Sequence, residues 1–176
     1  MPIISGGGGS GSGGTTPTYI GYNTIGASFE AVGAASATVF YKQVTGVAAG
    51  TIRSVDAHIK GNAANVSNFG AYVFDDNAGA PGKVVGGYSA GQTSGAINVF
   101  QVGLSATARW VAVPVNYYNP SANATLWLVF VVGDGASIAF DAGSDKKFAG
   151  GNTWIREFTD VIAATANSYS IRGALG

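Results

Sequence analysis

The sequence predicts an all-β protein, a sandwich of antiparallel sheets, and three observations carry that prediction. First, residues 125–132 (TLWLVFVV) are apolar on both parities and rich in aromatic and β-branched side chains. The run has the length of a strand and is too short to span a membrane. A strand apolar on both faces is covered on both, so it reads as the central strand of a sheet, packed against a second sheet or a neighbouring subunit. Second, turn clusters of Gly, Asn, Asp and Pro recur at intervals of roughly 8–15 residues. Third, no stretch places apolar side chains at helical spacing. The best candidate, residues 158–167, is short and rich in Thr and Ala, and reads as loop or strand.

Taken in order, residues 19–29 form a first extended segment and 38–44 (TVFYKQV) a second. Residues 51–60 alternate towards their end, with Val55, Ala57 and Ile59 facing one way and Ser54, Asp56 and His58 the other. Residues 69–74 (FGAYVF) lead into a dense turn signal at 75–82 (DDNAGAPG), after which 83–85 pair back. Segments 97–102, 109–115 (RWVAVPV), 125–132, 137–140, 153–158 and 169–172 complete the strands. Residues 5–14 are Gly and Ser alone, which is a flexible coil, and no charge precedes Glu30. The chain therefore divides into a Gly-rich N-terminal arm, 1–18, and a single domain, 19–176. Ile3 and Ile4 form the arm's apolar tip, followed by Gly6, Gly7, Gly8 and Gly9. Such a run also matches a linker added to join a tag to a domain. Because only Met1 to Ile4 precede it, it is read as a native arm.

With 176 residues the chain can bury one real core. Charged residues make up 10%, and nine basic groups cancel nine acidic ones. No surplus remains to neutralise phosphates or an anionic bilayer, so neither nucleic acid nor membrane is expected as a partner. The absence of Cys excludes disulfides and thiolate chemistry. The N-terminus lacks the basic and apolar regions of a signal peptide, so synthesis in a cytoplasm is expected. A surface of Gly, Ala, Ser, Thr and Asn suits a protein packed in an assembly, including a homo-oligomer.

Residues 72–84 (YVFDDNAGAPGKV) combine a strand ending in aromatic-Asp, a Gly-x-Pro-Gly turn and a short apolar return. This resembles a hairpin in jelly-roll β-sandwich domains, found in carbohydrate-binding modules, bacterial surface proteins and tailed-phage structural proteins. The segment at 126–130 (LWLVF) looks like the strand near the centre of those sandwiches. The Gly-rich opening is similar to phage virion proteins whose N-terminal arm anchors them to the particle. The resemblance implies a jelly-roll fold and a non-enzymatic virion protein, made in the host cytoplasm and placed on the particle exterior as a capsid decoration (cement) or head-fibre protein. Its implied partners are major capsid or tail proteins and copies of itself, with a trimer as one form. The alternative it implies is a tail-fibre or receptor-binding module contacting host glycans. A secreted carbohydrate-binding module is the remaining rival.

Residues 87–91 (GYSAG) match the G-x-S-x-G of a hydrolase elbow, but a Gly-rich turn follows and the only histidine, His58, precedes the serine. His58 falls on the polar face of a strand and reads as a surface residue. Asp75, Asp76 and Asn77 could supply oxygen ligands to Ca²⁺ together with a distant group such as Asp141, but Asp and Asn commonly cap their own turns, which is the reading preferred. Glu30 and Glu157 are the only Glu residues, and nothing positions a carboxylate pair for glycoside hydrolysis. Tyr117, Tyr118, Trp110 and Trp154 could stack on sugar rings, although large aromatics more often fill cores. No catalytic residue and no cofactor is expected.

Overall fold

A computed structural model describes residues 17–32, 36–61, 66–87, 100–133, 135–151 and 163–176, and among them all regular structure is β. In chain order the strands are β1 (Thr18–Gly21), β2 (Ser28–Ala31), β3 (Ser36–Val47), β4 (Gly50–Gly61), β5 (Val66–Asn77), β6 (Ala80–Gly87) and β7 (Phe100–Gly103). They continue with β8 (Arg109–Asn119), β9 (Ala124–Val132), β10 (Ala136–Ala142), β11 (Lys146–Gly151), β12 (Ala163–Ala164), β13 (Asn167–Tyr169) and β14 (Ile171–Leu175). They form two antiparallel sheets packed as a sandwich.

One sheet runs β12-β11-β3-β9-β5-β6, with β7 also on β5. β9, the doubly apolar run, lies between β3 and β5, where Phe130 pairs with Phe40 on one side and Ala71 on the other. Its parity Leu126, Leu128, Phe130 and Val132 enters the core between the sheets. Its other parity, Trp127, Val129 and Val131, joins Val39, Tyr41, Tyr72 and Phe74 in a second apolar cluster on the outer face. That outer parity is buried within the single chain, so no partner subunit is needed to cover it.

In the other sheet β8 flanks β4, while β1 pairs with β14 and β2 with β10. The sheet forks at Ser170. Gly61 to Ile59 of β4 pair with Ala136 to Ile138 of β10. Beyond that point β13 pairs with β10 and β14 with β4. Fully buried Ser170 bridges the two branches, because its amide donates to Ala139 O (2.9 Å) and its carbonyl accepts from His58 N (3.1 Å). Its hydroxyl accepts from Gly26 N at 2.9 Å. A Cβ at Gly26 would overlap the Phe140 backbone, so glycine permits this close approach.

The core between the sheets contains Ile52, Ile59, Phe69, Ile138 and Ile171 with the β9 residues. Phe40 meets Tyr169 edge-on at 4.6 Å between ring centroids, a favourable aromatic geometry. Each such fully buried side chain contributes about 1.5–3 kcal/mol of transfer free energy.

Two local expectations differ from the structure. Residues 19–29 are not one strand, because Gly21 (φ 91°) ends β1 and β2 begins at Ser28. The turn expected over 75–82 shrinks to Ala78 and Gly79. Both take positive φ (52° and 83°), as a two-residue hairpin with type I′ twist requires. Asp75 to Asn77 are therefore strand residues. Segment 153–158 and residues 97–99 lie outside the described residues.

Candidate functional site

The β5–β6 tip holds Asp75, Asp76 and Asn77, for which the sequence favours turn caps over Ca²⁺ ligands. Successive strand residues face opposite ways, so Asp75 and Asp76 do not converge. Asp75 accepts from Lys83 N. Asp76 Oδ2 accepts from Gly79 N (3.0 Å), closing the turn. Its Oδ1 accepts from Trp127 Nε1 and Gln43 Nε2, both at 2.8 Å. These bonds, led by that from Gly79, hold the Asp76 carboxyl below the usual range. The site thus tethers the hairpin to the outer face of β9 and β3. Among the described residues no three His, Asp or Glu side chains are grouped to hold a metal.

The aromatic residues on β8 are not brought together. A bulge at Asn116 (φ 47°) resets the register, so Tyr117 pairs opposite Ile52 and Tyr118 opposite Thr51. Tyr117 packs against the inter-sheet core, where burial, then Asp75, raises its hydroxyl pKa. Tyr118 is 63% exposed. Trp110 sits at the far end of β8, roughly 25 Å along an extended strand from Tyr118. Trp154, Ile3, Ile4 and Gly6 to Gly9 lie outside the described residues, as do residues 88–91 of the GYSAG segment.

Trp110 instead belongs to an aromatic and charged layer on the outer face of the forked sheet. The Arg172 guanidinium lies 3.7 Å from the Tyr19 ring centroid and 3.8 Å from that of Trp110, stacked by both. It donates through Nε to Asp56 Oδ2 (3.4 Å) and through Nη1 to Asn23 Oδ1 (2.5 Å). His58 packs against the edge-on Trp110 ring at 5.3 Å and near Phe29 at 6.2 Å, while Lys60 caps Phe29 at 4.2 Å. Asp56 is 4% and His58 6% exposed, which corrects the expectation of a surface histidine. Rings contributed by β1, β2 and β8 cover the polar face of β4. Burial first, and then Arg172, pushes the His58 pKa down. Its Nδ1 is buried without a hydrogen-bond partner among the described residues.

A third cluster ties the two sheets together. Lys42 of β3 pairs with Asp145 (3.0 Å), donates to Ser168 Oγ (2.8 Å) and lies 5.1 Å from the Tyr22 ring centroid. Asp145 Oδ2 also accepts from Tyr169 N at 2.8 Å. Burial raises the Asp145 pKa more than Lys42 lowers it. Nearby, Tyr22 donates to Asp141 (2.7 Å), which also accepts from Ala27 N (2.9 Å). Glu30 of β2 accepts from Lys147 of β11 (2.5 Å), Asn167 Nδ2 (3.0 Å) and Tyr169 OH (2.8 Å). Burial, with a further contribution from Glu30, raises the Tyr169 pKa to about 12.

Sequence reasoning did not connect Glu30, Lys42, Lys147, Asn167, Tyr169 and Arg172. The available signal was scarcity: in a chain with so few charges, a charge inside a strand is a candidate for a tie, although Arg53 of β4 and Lys83 of β6 stay exposed. Compared with protein-family models, curated proteins and solved structures, the chain matches none of them.

Proposed function

We propose that this chain is a non-enzymatic structural protein of a tailed-phage particle, with a sandwich of the jelly-roll kind. It sits on the particle exterior as a capsid decoration or head-fibre protein, and residues 1–18 anchor it to neighbouring capsid or tail proteins. The observation that carries the reading is where the charges go. Lys42–Asp145, Lys147–Glu30 and Arg172–Asp56 are internal ties. Asp76 and Asp141 are held by internal hydrogen bonds, and Lys60 and Lys146 lie over the rings of Phe29 and Trp127. Among the described residues these groups are engaged within the chain, while Arg53, Lys83 and Arg109 are exposed. With charged residues only 10% of the chain, the surface is weakly charged, which suits lateral packing between proteins.

Purified particles from cells that express this chain test the reading. Mass spectrometry should find the chain in stoichiometric amount, and deletion of residues 1–18 should release it from the particle. A chain absent from particles contradicts the assembly role, and a truncated chain that stays bound contradicts the anchor. The second reading, a receptor-binding module for host glycans, is favoured by the partly exposed Trp110 beside Arg172 and Asn23. Glycan-array binding abolished by Trp110→Ala would select it; an array with no signal would remove it.

A further inference from the structure

We propose that Lys147 and Asn167 become joined by an intramolecular isopeptide bond, with Glu30 as the group that moves the protons. The inference rests on three side chains from three strands and stands apart from the assembly reading. Glu30 Oε1 accepts from Lys147 Nζ at 2.5 Å, and Glu30 Oε2 accepts from Asn167 Nδ2 at 3.0 Å. One carboxylate thus contacts both a primary amine and a carboxamide, the nucleophile and the leaving group of a transamidation. Both contacts are within proton-transfer reach of a general acid–base. Tyr169, fully buried, donates its hydroxyl to Oε2 at 2.8 Å and fixes the carboxylate from below. Asn167 Nδ2 also lies 3.4 Å from that hydroxyl. Tyr169 is a positioning residue, whereas Glu30 touches both reacting groups.

The chemistry balances without a cofactor. Glu30 takes a proton from the Lys147 ammonium, and the freed Nζ lone pair attacks Asn167 Cγ. Glu30 returns that proton to Nδ2 as the Cγ–Nδ2 bond breaks, and a second Nζ proton follows through the same carboxylate to the departing ammonia. Of the three ammonium protons, one stays on the new amide and two leave with the Nδ2 group as ammonium ion. Glu30 ends as it began, and the Nζ–Cγ amide replaces the ion pair. Holding amine and amide on one carboxylate makes the step intramolecular, which supplies a large effective concentration. The Lys42 cluster differs, because among the described residues Lys42 meets a carboxylate and a serine hydroxyl but no carboxamide. The bond would link β11 in one sheet to β13 in the other. A chain without Cys has no disulfide to make such a tie.

Intact-mass measurement of the purified full-length chain, followed by tandem mass spectrometry of its tryptic digest, tests the proposal. The expected result is a mass lower than that of the sequence by one ammonia, with a branched peptide joining the segment around Lys147 to that around Asn167. Glu30→Gln, verified as folded by circular dichroism, should retain the ammonia and give no branched peptide, and Lys147→Arg should do the same. Tyr169→Phe should slow the appearance of the branched peptide without abolishing it. A wild-type chain of full sequence mass overturns the proposal whatever the variants do. So does ammonia loss confined to a succinimide at Asn167 with Lys147 unmodified. A folded Glu30→Gln chain that still forms the branched peptide overturns the role of Glu30.

Discussion

The outer faces of the two sheets are built from opposite materials, yet each buries side chains of its central strand. On the β3–β9–β5 sheet the outer face is apolar: Tyr41, Tyr72, Phe74, Trp127, Val129 and Val131 pack together, and polar partners such as Asp76 and Lys146 stand at the rim. On the forked sheet the outer face carries Asp56, His58 and Arg172, and the rings of Tyr19, Trp110 and Phe29 lie around them. The first face gains from removing apolar area from water. The second must compensate buried charge with a partner and stacked rings, because an unpaired buried charge is strongly unfavourable. The difference teaches that alternation in a strand reports which face is polar but not whether that face is wet.

The largest effect expected from this contrast comes from removing a tryptophan on each face. Trp127→Ala should destabilise by about 4 kcal/mol, through lost packing and an Asp76 oxygen left short of a donor. Trp110→Ala, at a partly exposed position, should lose about 2 kcal/mol. Urea unfolding of the two variants measures the gap, and equal losses would break the contrast. A smaller effect follows from His58. Its pKa is lowered in the folded chain, so the unfolded chain binds the proton more readily. Its contribution is complete above the ordinary value of about 6.5 and is lost as pH falls from there towards the lowered folded value. Thermal unfolding between about pH 7 and pH 5 should therefore show a decline that His58→Gln reduces. Asp76 and Asp141, also lowered, act in a separate window below about pH 4. The smallest effect lies at the hairpin tip. Ala78 has φ 52°, which Asn tolerates better, so Ala78→Asn should stabilise by about 1 kcal/mol in the same assay.

The fold class was legible because the strands differ so sharply in pattern. The doubly apolar run at 125–132 could only be a covered strand, and β9 is the centre of its sheet. The alternation at 54–59 assigned the faces of β4 correctly, but β4 could not reveal that rings from β1, β2 and β8 would cover its polar side. The hairpin was placed, yet its turn was overestimated, because Asp75 to Asn77 carry turn-forming side chains while their backbone continues the ladder. The tie between Glu30, Lys147 and Asn167 was not legible. Its members come from β2, β11 and β13, and their meeting depends on the long-range pairing of both sheets.

A double-mutant cycle on Asp56 and Arg172 tests most directly whether the charges of the forked sheet are internal ties. Unfolding free energies of Asp56→Ala, Arg172→Ala and the double variant give the coupling between the two side chains. The predicted coupling is about 2 kcal/mol, with each single variant clearly destabilised. Single effects that simply add, within about 0.5 kcal/mol, would contradict it and return these residues to a solvated surface.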